Sequence, residues 1–336
     1  MNWFKRRIFF DYAGGKDNPS GIHEEGRLAH KKLEETRLRI ARILKCQARD
    51  IIFTSGGTES DNLAVLGVFE EAKEKFEKPH IIIGTHEHPA VYESAKEAQR
   101  QGAELTITDE PMKHLKENTV LVSIIYANNE TGAINPVPKI ARLVRDYRKK
   151  HGSRYPLMHT DATSAYEYLE VDINKVPADL ISIENVLTVR PPATIRPRNL
   201  GGGQERRLRA GTQNLKVIED FARNLEVSVK NREKESERLT EIKNFFIDEI
   251  RRSFPKAVIN TPRISLPHIV SVSFPGQLHE FLAIKLDFHG IAVSTGSACD
   301  SSKDEESKEA LRFSFGKETS KIEIKETISV LKKIML

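Results

Sequence analysis

Ile51-Ile52-Phe53-Thr54-Ser55-Gly56-Gly57-Thr58-Glu59-Ser60-Asp61-Asn62 runs from a short apolar stretch, through a Ser/Gly turn, into a segment of helical spacing. A strand that ends on glycines and leads into apolar residues at Leu63, Leu66 and Phe69 is the strand–turn–helix unit of a parallel sheet. Backbone N–H groups at the start of such a helix, with the Thr58 hydroxyl, can cradle a phosphate. An ordinary Ser/Thr-capped helix fits the same residues.

Outward from this unit the pattern repeats. Apolar runs predict strands at 81–83, 105–108, 120–127, 157–161 and 180–183. Helical spacing predicts helices at 58–75, 90–101 and 137–150. Strands alternating with helices imply an α/β fold with a mostly parallel sheet covered on both faces. Ligands of such sheets bind at the carboxyl ends of the strands. Three polar motifs fall there: Ser55 to Thr58, Asn128-Asn129-Glu130, and Asp161-Ala162-Thr163. A long charged helical stretch at 214–254 leads to a smaller α+β unit, with strands at 269–274 and 311–315 and helices at 279–288 and 322–334. Residues 14–225 are expected to form the large domain. Residues 1–13 and 226–336 are expected to form the small domain, which carries a Ser/Gly-rich loop around Cys299.

The chain has 336 residues, 38% hydrophobic and 30% charged, with a net charge of +5. Acidic residues interleave with the basic ones, and no basic patch carries interleaved aromatics, which argues against a nucleic-acid partner. No apolar run approaches the ~18 residues of a membrane span. The start, Met1 to Phe10, lacks the long apolar core of a secretion signal. Two cysteines, Cys46 and Cys299, make no disulfide framework, which points to a reducing cytoplasm. No residue pattern calls for a metal. Cys46 follows helical apolar spacing (Ile40, Ile43, Leu44) and is expected to be packed and inert. Cys299, in Ser297-Ala298-Cys299-Asp300, lies in a polar loop and is a candidate nucleophile.

Other residue types suit a site. Asp161 ends an apolar strand, where a buried carboxylate needs a cationic partner, a protonated pyridine nitrogen among them, or serves as a helix cap. His88, in Thr85-His86-Glu87-His88-Pro89, could stack on a ring. Gly201 to Arg206, with Arg209 to Thr212, is a basic, glycine-rich segment able to approach an anion. Arg312 could pair a carboxylate through two bonds, or sit in a structural ion pair.

In order along nearly the whole chain, these segments resemble the cysteine desulfurases of the NifS/IscS type, which are class V, fold-type I pyridoxal phosphate (PLP) enzymes. The matching stretches are Asn18-Pro19-Ser20 with His23, Ser55 to Asn62, Glu87-His88, Asn128 to Gly132, Asp161 to Thr163, Gly201 to Thr212, Ser297 to Cys299, and Arg312 to Gly316. The resemblance implies a homodimer with PLP as cofactor and an iron–sulfur scaffold or other protein as sulfur acceptor. Gly57 and Thr58 would hold the phosphate, His88 would stack on the ring and serve in catalysis, Asn129 would contact the ring hydroxyl, and Asp161 would pair with the pyridine nitrogen. Thr212 would reach the phosphate in the neighbouring subunit, Arg312 would bind the substrate carboxylate, and Cys299 would carry the sulfur as a persulfide.

The departures cluster at the cofactor. Counted without gaps from Asp161, the family's Schiff-base lysine falls on Leu187, in Ser182-Ile183-Glu184-Asn185-Val186-Leu187. Leucine forms no Schiff base and moves no proton. Glu184 stands where the family has a phosphate-binding serine, and Ser164 where it has a glutamine. The stretch after the lysine position is shortened, and Lys175 is the only lysine between Asp161 and Gly201. These departures predict a desulfurase-like protein that is degenerate in PLP chemistry, with PLP non-covalent at best. The alternatives are an active enzyme completed by a lysine-bearing paralogue, and a non-catalytic dimeric scaffold.

Overall fold

The computed structural model describes residues 7–295 and 310–335. Strands β1 (Ile51–Phe53), β2 (His80–Ile83), β3 (Glu104–Ile107), β4 (Thr119–Ser123), β5 (Leu157–Asp161), β6 (Leu180–Ile183) and β7 (Val186–Val189) form one sheet in the order β1-β7-β6-β5-β4-β2-β3. β7 is antiparallel to both its neighbours, and the remaining pairs are parallel.

Because side chains alternate across a strand, each strand feeds two cores. Ile52, Leu121, Leu157, Leu180 and Leu187 face helices α2 (Gly57–Ala72) and α3 (Pro89–Arg100). Ile51, Phe53, Val122, Met158, Ile181 and Val186 face α1 (Glu24–Leu44), α4 (Val137–His151) and the start of α5 (Leu215–Ser253). Burial on both faces is why runs such as Ile81-Ile82-Ile83 are apolar throughout.

α5 joins two cores. Its buried residues stop at Leu225 in the large core and resume at Leu239 in a second. That second core lies on an antiparallel sheet, β8 (Val258–Ile259), β9 (Ile269–Ser273), β10 (Ser294–Thr295) and β11 (Leu311–Ser314), in the order β10-β11-β9-β8. Helices α6 (His279–Asp287) and α7 (Lys321–Met335) pack on it.

Two details differ from the sequence reading. β4 ends at Ser123; beyond it Ile124 and Tyr126 still bond toward β5, to His159 O at 3.2 Å and Asp161 O at 2.8 Å, but irregularly. The second is β7, which the sequence reading did not predict. At the N-terminal end, Arg7 Nε donates to Glu25 at 3.0 Å, and the Phe9 ring sits edge-on to His23.

Candidate active site

Gly57, Thr58, His88, Asn129, Asp161 and Ser164 stand on turns at the carboxyl ends of parallel strands. After β1, Gly56 caps α2 with no side chain accepting from the helix's first N–H groups, and Thr58 is exposed there. An anion could meet the positive end of α2 at this point. Glu59 folds back to accept from Ser55 N at 2.7 Å and is held by Arg209. A Cβ on Gly57 would stand 3.2 Å from Thr163 Oγ1, so the chain after β5 passes close by.

Asp161 Oδ1 accepts from Thr163 N at 2.8 Å, so this carboxylate does cap the following turn. Burial raises its pKa, with His88 near enough to oppose the rise. His88 itself begins α3, its Nδ1 accepting from Ala90 N at 3.1 Å, which leaves Nε2 outside the cap. Asn128 shapes its loop by accepting from Glu130 N and Thr131 N, and donating to His86 O at 3.3 Å. Asn129 O accepts from Arg312 Nη1 at 3.1 Å, which ties β11 of the small sheet to the large domain's loop. Arg312 Nε is buried without a partner. Ser164 is half-buried. Thr212 is exposed, beside a small cavity with Ser55 and Asn185. Cys299 lies outside the described residues.

The sequence reading missed what lies beneath. Asp61, one helical turn beyond Gly57, is fully buried, and Oδ1 has no hydrogen bond. His159 Nε2 is 3.6 Å from it. That imidazole is held between Ser123 Oγ (2.8 Å) and Ser182 Oγ (3.0 Å), and burial pushes its pKa down to about 3, leaving it neutral. Burial and the neighbouring Asp161 raise Asp61 well above the carboxylate range. Glu87 receives Ile125 N at 2.6 Å and is pushed up to about 8, mainly by burial. His159 interrupts an apolar strand (Leu157-Met158-His159), and that polar residue in a buried pattern was an available signal; Asp61 and Glu87 stand in polar stretches that gave none.

The lysine position needs a correction. Leu187 is not in the cleft. It is fully buried in β7, pairs with Ser182 and Ile52, and packs into the core on the α2 side. β6 and β7 are joined by two residues, Glu184 and Asn185, so gap-free counting beyond β6 runs into a strand. Glu184 is exposed in that turn with φ 47°, and its N–H donates to Thr163 Oγ1 at 3.3 Å.

The fold is that of a known class. The family model for class V aminotransferases matches residues 9–184 and 197–326, and the chain belongs to that family. Within it, the chain is a member of the NifS/IscS-type cysteine desulfurases. It is 34% identical to cysteine desulfurase IscS of Dictyoglomus turgidum over 383 aligned residues, covering 98% of this chain and 95% of the relative. It is 33% identical to cysteine desulfurase IscS 1 of Archaeoglobus fulgidus over 304 residues, 84% and 77% of the two chains. A solved NifS-like protein superposes with a TM-score of 0.84 at 30% identity, over 95% of this chain and 91% of that one. The family match breaks after Glu184, at the β6–β7 turn.

PLP is the cofactor this family implies, and the residues present suit only part of it. Asp161 suits a pyridinium nitrogen, and the start of α2 an anion. The stretch from Asp161 to Gly201 offers the aldehyde no amine, since Lys175 is exposed and pairs with Glu170 at 3.3 Å. Glu184 adds an acidic residue whose backbone N–H meets Thr163, close to the anion end. This donor set does not fit PLP held as a Schiff base.

Proposed function

We propose that this chain is a desulfurase-like sulfur carrier that has lost Schiff-base chemistry. Cys299 takes the outer sulfur of a donor persulfide. Its thiolate attacks that sulfur, the donor S–S bond breaks, and the donor leaves as a thiolate. An acceptor protein, such as an iron–sulfur scaffold, then removes the sulfur by the same exchange, with no net oxidation. The observation that carries this reading is the two-residue β6–β7 turn, which leaves no room in the chain for a lysine-bearing connection. The protein acts as a homodimer, for which the exposure of Thr212 leaves that residue free to face a second subunit.

The test is a persulfide-transfer assay on the purified dimer. A persulfide donor should label Cys299, Cys299→Ser should abolish transfer, and borohydride should fix no PLP on any lysine of the chain. Cys46 should stay unlabelled, because burial pushes its thiol up to about 11. A borohydride-stable PLP adduct, or transfer undiminished in Cys299→Ser, would sink the proposal. A monomer by light scattering at micromolar concentration would remove the dimer.

A second reading is supported by two pairings, Arg312 with Asn129 O and His88 near Asp161. In it, a lysine-bearing paralogue supplies the missing amine. Alanine production from cysteine that needs both chains, and stops when the second chain's lysine is changed, would select it.

A further inference from the structure

A cavity of about 120 Å³ lies between the end of β1, the β6–β7 turn and the first turn of α5. It holds two buried amides with unmet hydrogen bonds. Asn185 is 4% exposed and neither its Nδ2 nor its Oδ1 has a partner. Gln213 is 9% exposed; its Nε2 donates to Glu205 at 2.8 Å, which fixes the amide's orientation and leaves Oε1 with no donor. The turn that carries Asn185 is pinned, since Thr54 N donates to Asn185 O at 2.9 Å. A buried amide left unpaired is costly, so two in one cavity call for a polar occupant, water or a ligand.

The surroundings restrict what that occupant is. The nearby charges are already paired, Arg209 with Glu59 and Arg37 with Glu205, so the cavity wall has no net charge to neutralise. Gln213 Oε1 and Asn185 Oδ1 ask for donors, which excludes a bare anion. Asn185 Nδ2 asks for an acceptor, and Asn214, Val217 and Ile218 in the wall belong to the start of a 39-residue helix, whose positive end favours a carboxylate. The volume admits one molecule of about six heavy atoms, too small for PLP.

We propose that this cavity binds a small zwitterionic α-amino acid of the size of glycine or alanine. Its ammonium donates to Gln213 and Asn185, and its carboxylate accepts from Asn185 Nδ2 at the α5 terminus. The proposal goes beyond the sulfur-carrier reading and does not depend on it.

Isothermal titration calorimetry on the full chain, free of PLP, tests it. L-Alanine should bind, while acetate and methylamine, each half of the zwitterion, should bind at least ~10-fold more weakly. Asn185→Leu should abolish alanine binding without lowering the melting temperature of the free protein, because it removes an unpaired buried amide. Arg312→Ala, in the cleft, should leave the affinity unchanged. The site is refuted by the absence of alanine binding, by acetate binding as well as alanine, or by Arg312→Ala removing the binding that Asn185→Leu leaves intact. Loss of persulfide transfer in Cys299→Ser bears on the function proposed above and leaves this result untouched.

Discussion

Leu187 shows how a residue's meaning depends on where the backbone puts it. Read as a substituted catalytic position, it invites repair by Leu187→Lys. In the structure it is fully buried between Ser182 and Ile52, among leucines and isoleucines. An ammonium placed there has no partner, and burying a lone charge is costly. Leu187→Lys should therefore destabilise the protein by roughly 3–5 kcal/mol and restore no activity. Urea denaturation checks this; a variant of unchanged stability would mean that position 187 opens to the cleft after all. Glu184 is the residue to change instead. Its φ of 47° is left-handed, which costs a residue with a Cβ about 1–2 kcal/mol. Glu184→Gly should raise stability by about 1 kcal/mol, read as a shift in the urea midpoint at constant slope.

At the scale of the element, the glycine-rich segment 201–213 is fixed by one carboxylate. Glu205, also left-handed at φ 44°, has a side chain wholly removed from solvent. It receives both Arg37 terminal nitrogens, at 2.7 and 2.9 Å, with Phe53 N at 3.0 Å and Gln213 Nε2 at 2.8 Å. These bonds hold its pKa below the usual carboxylate range despite burial. The segment is thereby tied to α1 and to β1, the strand that opens the site. Removing one partner of such a buried pair strands the other charge. Glu205→Ala should cost about 3–5 kcal/mol, and Arg37→Ala a similar amount, with the double variant losing less than the sum. Thermal denaturation of the four proteins measures this, and simple additivity would show that the two do not act as a pair.

For the whole molecule, the buried titratable groups shape stability against pH. Glu87 is raised from 4.5 to about 8. Between those values the folded state keeps a proton that the unfolded state has lost, so stability falls as pH rises from about 4.5 to 8. His159 is lowered from 6.5 to about 3, so there the unfolded state binds the extra proton. Stability therefore falls as pH drops from 6.5 toward 3. Glu87→Gln should flatten the alkaline limb and leave the acid limb in place. Denaturation midpoints from pH 4 to 9 give the answer; an unchanged alkaline limb would show that Glu87 is not the group responsible.

The sequence by itself determined the alternation of strands and helices, because a sheet buried on both faces demands apolar runs and its covering helices demand a 3.6-residue period. It also located Gly57, His88 and Asp161 after apolar runs, where polar and turn residues fall at strand ends, and Arg312 within a strand of the smaller unit. Neither the antiparallel β7 nor the true position of Leu187 was legible. Val186-Leu187-Thr188-Val189 is a short stretch with only three apolar residues, and only the pairing of its backbone with β1 and β6 shows that the chain reverses after two residues. Asp61, His159 and Glu87 likewise became a group only in three dimensions. Their proximity arises from three strands and a helix converging on one point, and no spacing along the chain encodes that distance.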